Sequence, residues 1–362
     1  MKKSFLFLFL IGVLQAEENC NRCEPPSPPD PICEIGGPSF LFYNSPIKEE
    51  CWTLFVTGDF IYWRASVDGL AYSASKWRNN LNENLGHGSV KHPDFAFEPG
   101  FKVGLGTRIA HDGWEFYSEY TWLHTGDKRG STENANPLTT TSGATWFMEE
   151  AAPNSLLQPD FPLLTFAQGR WDLHFNSIDL SMARTSRVGR RFDMRPHFGF
   201  KGSWQRQHYS THYTVNSHLA DSTRRRMSQD IDYWGFGMRT GFDAAFHLNK
   251  WFRISGETAI SGLWSGFDVD RLDRSAPADG SSAELATFKT SNSYHTIVPV
   301  LEMFLGMRWE KRFNENLYNY MMQLGWEHQV WWNMNQFYGA YEQGSHGALT
   351  LQGLTFQLRL DF

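Results

Sequence analysis

Apolar and polar side chains alternate strictly along the last stretch of the chain, from Gly347 to Phe362. One face carries Leu354, Phe356, Leu358, Leu360 and Phe362, and the other carries polar or small residues. This period of two is typical of a β-strand with one apolar and one polar face. Since the sequence stops on an aromatic residue, the pattern favours a strand that closes a membrane barrel and leaves no open edge in lipid. The alternative for this stretch alone is the last strand of a soluble sandwich.

Similar alternation recurs through the preceding three hundred or so positions. The predicted strands are Trp52–Trp63, Phe95–Ala110, Trp114–Trp122, Trp171–Thr185, Phe192–Trp204, Ile231–His247, Trp251–Trp264, Ile297–Trp309, Leu317–Trp331 and the closing one. The polar connections alternate between long and short, as in outer-membrane barrels. We expect long outer loops at 64–94, 124–169, 205–229 and 265–294. The prediction is an all-β fold, a transmembrane antiparallel up-and-down β-barrel of about 10 strands, with 12–16 strands as the alternative.

One predicted strand changes phase. Between Trp171 and Thr185 the apolar residues first fall on odd positions, up to Phe175, and then on even positions, from Ile178. A change of phase within a strand suggests a β-bulge, here at Asn176 and Ser177.

The polar faces of the predicted strands carry ionisable residues and glycines, a composition that suits a water-filled lumen. The candidate pore-lining residues are Glu98, Lys102, Arg108, Glu115, Glu119, Arg195, Lys201, Arg239, Asp243, Arg253, Glu257, Glu302, Arg308, Glu327 and Arg359, with Glu310 on the same face. Both signs of charge are present, so the sequence predicts no ion preference. A narrow barrel could also neutralise these charges in pairs and have no conducting pore.

Tryptophans are placed near the ends of predicted strands, where interfacial girdles are expected. They are Trp63, Trp114, Trp122, Trp171, Trp204, Trp251, Trp264 and Trp309. Aromatic residues make up 16% of the 362 residues, while the mean hydropathy is only -0.46. A helical membrane protein would be more hydrophobic, whereas half of each barrel strand faces a polar interior. A net charge of -6 without a long basic run argues against nucleic acid as a partner.

The N-terminus reads as an export signal followed by an arm. Residues 1–16 have two lysines, an apolar run and an end at Ala16, as in a cleaved signal peptide. Residues 17–50 form a Cys- and Pro-rich periplasmic arm, and 51–362 form the barrel. The disulfide candidates are Cys20, Cys23, Cys33 and Cys51. In an exported chain three pairings within the molecule, or links to neighbouring molecules, are open, and the CxxC alone is weak support for zinc or redox chemistry.

Two other function classes are compatible with parts of the sequence. His208, His212, His218, Asp230 and Asp232 cluster near one predicted outer rim, where a carboxylate–histidine pair could activate water for hydrolysis. We favour a solvated polar loop, since no nucleophile elbow, zinc-protease, phosphate-loop or dinucleotide motif occurs in the sequence. The long predicted loops could alternatively serve adhesion, although their composition names no partner.

Several segments resemble the major outer membrane protein family of Legionella and the Chlamydia-like bacteria. They are FVTGDFIYWRASVDGLAYS (Phe55 to Ser73), WDLHFNSIDLSMAR (Trp171 to Arg184), MRPHFGFKGSW (Met194 to Trp204) and the terminal LTFQLRLDF. The resemblance implies a pore-forming outer-membrane protein, with disulfide cross-linking of the envelope plausible and no catalytic residues to transfer.

The functional prediction is therefore a porin in the bacterial outer membrane. It would allow passive diffusion of small hydrophilic solutes and ions and would contribute to envelope structure. The alternative is a closed barrel that acts as an adhesin. No cofactor, metal or catalytic residue is predicted. The expected partners are outer-membrane lipid, the barrel-assembly machinery (through Phe362, Leu360, Leu358 and Phe356), and possible homo-oligomer or disulfide-linked envelope neighbours.

Overall fold

The computed structural model describes residues 52–75, 89–109, 113–133, 142–144, 163–188, 191–216, 223–249, 251–313, 318–338 and 347–362. Among these residues, no helix is long and apolar enough to cross a membrane. The predictions for residues 1–16 and 17–50, including Cys20, Cys23, Cys33 and Cys51, lie outside the described residues.

Ten long strands form the barrel wall. They are β1 (Trp52–Val67), β4 (Phe97–Ile109), β5 (Trp114–Glu133), β7 (Leu163–Arg184), β9 (Phe192–Asn216), β10 (Thr223–His247), β11 (Phe252–Pro277), β12 (Leu285–Phe313), β13 (Tyr318–Asn335) and β14 (Gly347–Asp361). Four short strands accompany them: β2 (Ser73–Ser75), β3 (Val90–Lys91), β6 (Ser142–Ala144) and β8 (Ser186–Val188). Each long strand pairs antiparallel with the next, which confirms the predicted up-and-down barrel of about ten strands.

The last strand closes the ring against the first, as its alternation predicts. β14 pairs with β1 from Phe55 opposite Asp361 to Val67 opposite Leu349. At the end of the chain, Leu54 donates a backbone hydrogen bond to Phe362 at 3.1 Å and accepts one at 2.9 Å. Leu360 and Phe362 are exposed on the outer surface, where a lipid tail would contact them. The closure leaves no unpaired edge between these strands.

The barrel wall is longer than a membrane requires. Strands β9, β10, β11 and β12 have 25, 25, 26 and 29 residues, whereas about 9–11 residues cross a bilayer. The predicted long loops at 205–229 and 265–294 are therefore wrong, because most of those residues continue the strands. The predicted loops at 64–94 and 124–169 also begin too early, because β1 extends to Val67 and β5 extends to Glu133.

The hydrophobic pattern inverts where the wall leaves the lipid. A row of paired residues, Trp122, Asn176, Trp204 and Trp234, marks this level on four adjacent strands, and we call it the outer girdle. On the membrane side of the girdle, β9 exposes Phe198 and Phe200 on its outer face. Beyond the girdle the outer face carries polar residues, while the inward positions carry a buried apolar core. The reason is that the outer face meets lipid below the girdle and water above it.

This inversion also explains the change of phase predicted as a bulge. Trp171, Leu173 and Phe175 point into the barrel and are at most 1% exposed, whereas Ile178 and Leu180 face outward. The pairing of β7 with β9 runs without a break past Asn176, and its irregularity lies between Leu164 and Phe166. The bulge prediction at Asn176 and Ser177 is wrong, because the phase changes with the surroundings and the backbone alternation does not.

The girdle prediction holds for some of the tryptophans and fails for two of them. Trp122, Trp204, Trp251 and Trp264 are exposed on the outside of the barrel, and Trp114 and Trp309 are partly exposed there. Trp63 and Trp171 instead lie wholly inside. Both belong to the interior core that fills the outer half of the barrel.

Candidate functional site in the barrel interior

The ionisable residues predicted to line a lumen all occupy inward-facing positions of their strands. Their register shows this directly: Asp59 lies opposite Lys102, and Trp63, which is fully buried, lies opposite Glu98. Whether they line an open pore depends on how they contact one another. The membrane-level interior proves to be a layer of ion pairs, and a second, apolar layer lies above it.

At the end of the interior near Phe362, three arginines surround one carboxylate. Glu115 is 3% exposed and contacts Arg108 at 2.7 Å, Arg195 at 2.6 Å and Arg359 at 3.2 Å. Arg195 also contacts Asp243 at 2.6 Å. These contacts come from five different strands, so the network joins the wall across the barrel.

In the middle of the barrel, Lys201 bridges two carboxylates. Its ammonium lies 2.8 Å from Asp179 and 2.6 Å from Glu302, and its side chain is 1% exposed. Arg239 contacts the same Glu302 at 2.7 Å. Asp179 was missed by the sequence reasoning because of the bulge assigned just before it. Its alternation with Ile178 and Leu180 is the signal that would have found it.

Lys102 forms a second centre at the same depth. It contacts Glu327 at 2.8 Å and Glu119 at 3.6 Å. Glu327 also accepts a hydrogen bond from the Thr355 hydroxyl at 3.0 Å. Asp59, which sequence reasoning also missed, accepts a hydrogen bond from Gln357 at 3.1 Å.

The remaining predicted residues pair near the wall. Arg253 contacts Glu310 at 2.8 Å, and Arg308 lies 3.9 Å from Glu257. Glu98 lies nearer the outer end, opposite Trp63 in the strand register.

An apolar layer covers the ion pairs on the outer side. Its fully buried members include Trp63, Trp171 and Trp331, and other members are Ile61, Leu123, Leu173, Phe175, Ile231, Leu263, Phe267, Val298, Val300, Leu349 and Leu351. Phe175 packs edge-on against Trp331 at 5.4 Å between ring centres. The two layers meet where Lys102 lies 5.0 Å from the Trp63 ring and Lys201 lies 5.5 Å from the Trp331 ring.

Two connecting segments fold into the outer mouth of the barrel. Leu70 and Phe337 are fully buried within the same apolar core. The Tyr209 hydroxyl donates to the Leu70 carbonyl at 3.2 Å. Gln229 both donates to the Tyr338 carbonyl at 2.8 Å and accepts from its backbone N–H at 2.9 Å. These bonds tie the segments after β1 and β13 to the wall, and sequence reasoning did not predict them.

A cavity lies among the ion pairs. Its volume is about 70 Å³, and it is lined by residues that include Asp59, Lys102, Glu119 and Glu257. Around it, the described side chains of the ion-pair layer and of the apolar layer are largely buried.

The predicted histidine–carboxylate cluster lies elsewhere, on the outer wall beyond the girdle. His208 donates from Nδ1 to Asp230 at 2.7 Å, and this hydrogen bond raises the pKa of His208 above its ordinary value. Asp232 pairs with Arg206 at 2.7 Å. His212 contacts Phe166 edge-on, and burial and then Arg226 lower its pKa. His218 lies outside the described residues.

The cluster is thus divided into separate pairs on an exposed wall. Among the described residues, no group of three or more His, Cys, Asp or Glu side chains is placed to hold a metal ion.

Comparisons with solved structures found an outer membrane protease, a FadL homologue and a toluene transporter. The outer membrane protease OmpT from Escherichia coli aligns with 86% of this chain and 96% of its own, at 10% identity and a TM-score of 0.37. A Pseudomonas aeruginosa FadL homologue aligns with 86% of this chain and 90% of its own, at 6% identity and a TM-score of 0.28. The Ralstonia pickettii toluene transporter TbuX gives 86% and 89% coverage, 9% identity and a TM-score of 0.19. At these scores the likenesses carry no argument about function.

No curated protein matches the sequence. The family model described as the Legionella pneumophila major outer membrane protein precursor matches residues 44–362. This range contains every barrel strand, the ion-pair layer and the apolar layer. Membership of this family and the closed ring of strands place the protein in the outer membrane. The chain belongs to the Legionella major outer membrane protein family.

Proposed function

We propose that this protein is a closed outer-membrane barrel that acts through the part projecting beyond the lipid, as a structural and attachment protein of the envelope. The observation that carries the proposal is the filled interior. Trp63, Trp171 and Trp331 are fully buried across the outer half, and paired charges fill the membrane-level half. A pore for passive diffusion needs a continuous water path, and this packing supports the closed alternative.

The number of strands supports the same proposal. An eight-stranded barrel has an interior that side chains can just fill, whereas porins of about 16–18 strands leave an aqueous channel. A ten-stranded barrel lies near the filled limit. Long inward side chains such as Arg239 and Trp331 are sufficient to occupy its width.

The projecting wall gives the closed barrel a surface for attachment. Beyond Trp204, β9 continues to Asn216, and its outer face there carries Arg206 and His208. Such a wall presents polar side chains on hydrogen-bonded strands, so a binding surface built on it would be stiffer than one built on loops. No enzymatic activity or cofactor is part of the proposal.

Single-channel recording in a planar bilayer tests the closed barrel directly. The signal-free protein is folded in detergent, and folding is verified by circular dichroism and by resistance of the barrel to protease. We expect no stepwise conductance from inserted, folded protein. Openings whose size scales with salt concentration would overturn the proposal and establish the porin predicted from the sequence.

Attachment needs its own test. Cells that carry the full protein are compared with cells in which Arg206 and His208, on the outer face of β9, are both replaced by serine. We expect the replacement to reduce binding to host cells or to neighbouring bacteria while the amount of folded barrel stays unchanged. Equal binding by both strains would remove attachment through this part of the wall from the proposal.

The proposal also includes the predictions for the N-terminus and for partners. N-terminal sequencing of the exported protein would test cleavage after Ala16. Gels run with and without reductant would test disulfide links from Cys20, Cys23, Cys33 and Cys51. Cross-linking in intact membranes would test for a homo-oligomer, and refolding with and without purified barrel-assembly machinery would test for that partner.

A further inference from the structure

Two histidines face each other on the outer wall immediately beyond the girdle. His124 of β5 lies directly opposite His174 of β7 in the strand register. Their ring centres are 3.9 Å apart, with an angle of 29° between the ring planes. His124 follows Trp122, whose ring lies 6.4 Å away, so the pair stands at the boundary between lipid and water.

One ring nitrogen of His124 is buried without a hydrogen-bond partner among the described residues. This atom is Nδ1. Buried polar atoms in native proteins are nearly always satisfied, so an atom of this kind requires an explanation. His174 is exposed, and its ring can turn about its side-chain torsions to bring a nitrogen beside that of His124.

A carboxylate lies close to the histidine pair. Asp172 is two positions from His174 on the same face of β7, near enough to add negative charge to the site.

We propose that His124 and His174 together bind a divalent transition-metal ion of the imidazole-preferring class, such as Cu²⁺, Ni²⁺ or Zn²⁺. Directly opposed residues on adjacent strands have Cβ atoms about 4.5–5.5 Å apart, a span that lets two imidazoles reach one ion. With two protein ligands the ion keeps open positions that water or a ligand from outside the protein can fill. Oxygen-preferring Mg²⁺ and Ca²⁺ should not compete.

Copper binding tests the site. The full, untagged protein is folded in detergent with its thiols alkylated, because the cysteines would otherwise bind or reduce Cu²⁺. Electron paramagnetic resonance of the 1:1 complex should show two nitrogen ligands, and excess Mg²⁺ should leave the spectrum unchanged.

The matched control is His328 on β13, an outward-facing histidine outside the pair. We expect His174→Ala and His124→Ala each to weaken Cu²⁺ binding by at least roughly tenfold. Loss of a residue that only orients a metal ligand already costs about tenfold in affinity, so loss of a ligand should cost no less. His328→Ala should bind as the unchanged protein does. All three changes lie on the outer face, and circular dichroism with protease resistance verifies folding.

The proposal would be overturned by a spectrum with one nitrogen ligand, or by equal affinity in His174→Ala and His328→Ala. Either result would mean that the two rings only pack against each other.

Discussion

Replacing Lys201 by methionine should destabilise the barrel strongly. The side chain is 1% exposed, and its ammonium contacts Asp179 at 2.8 Å and Glu302 at 2.6 Å. Methionine keeps a similar length and removes the charge, so Asp179 would keep one ion-pair partner among the described residues, Arg239 at 3.7 Å. Removing one partner of a buried ion pair costs about 3–5 kcal/mol, because the other charge stays buried without compensation. We expect a loss of that size in the free energy of unfolding.

Urea unfolding in lipid vesicles, followed by tryptophan fluorescence, measures this loss. The control is Arg206→Met, because Arg206 and Asp232 form an ion pair whose side chains are 65% and 57% exposed. Exposed pairs contribute at most about 1 kcal/mol. The double variant Lys201→Met with Asp179→Asn should lose less than the two single losses added together, because it removes one charge of each sign. If Lys201→Met costs no more than Arg206→Met, the interior is hydrated, and the closed ion-pair layer is refuted.

Three further outcomes are expected. Trp171→Ala should destabilise the barrel by about 3–5 kcal/mol, because it opens a cavity in the core. The loss should be clearly larger than that of Trp204→Ala on the lipid-facing girdle. Equal unfolding midpoints for the two variants would contradict the interior placement of Trp171. Asp230→Asn should lower the pKa of His208 measured by NMR, because the hydrogen bond to Asp230 raises it. Because the pKa of His208 is raised in the folded state, its stabilisation of the fold is fully present below the ordinary histidine pKa and is lost as pH rises through the raised value. If the difference in unfolding free energy between this variant and the unchanged protein does not depend on pH, the assignment is contradicted. Phe362→Ala should slow assembly in cells while leaving refolded barrel stable, and pulse-chase assays of protease-resistant barrel would show no delay if the terminal aromatic has no such role.

The sequence alone determined the ring of strands. Alternation with a period of two depends only on neighbouring residues, so it located every long strand and the closure through Phe362. The alternation also placed Lys102, Lys201 and Glu302 on inward faces, because a charged side chain that faces lipid is destabilising.

Only the tertiary structure decided what the inward face contains. The alternation through Trp171, Phe175 and Ile178 is unbroken in the backbone, yet its hydrophobic phase inverts at the outer girdle. Alternation along a strand shows which residues share a face, but not what that face contacts. A strand with lipid outside and a polar interior has the same alternation as a strand with water outside and an apolar core, except that the apolar residues are shifted by one position. The environment of each face is fixed by the height of the strand above the membrane and by side chains from distant strands, such as Trp331. For that reason the sequence predicts a bulge and long loops where the protein has a continuous wall, and it does not predict the apolar core inside the outer half.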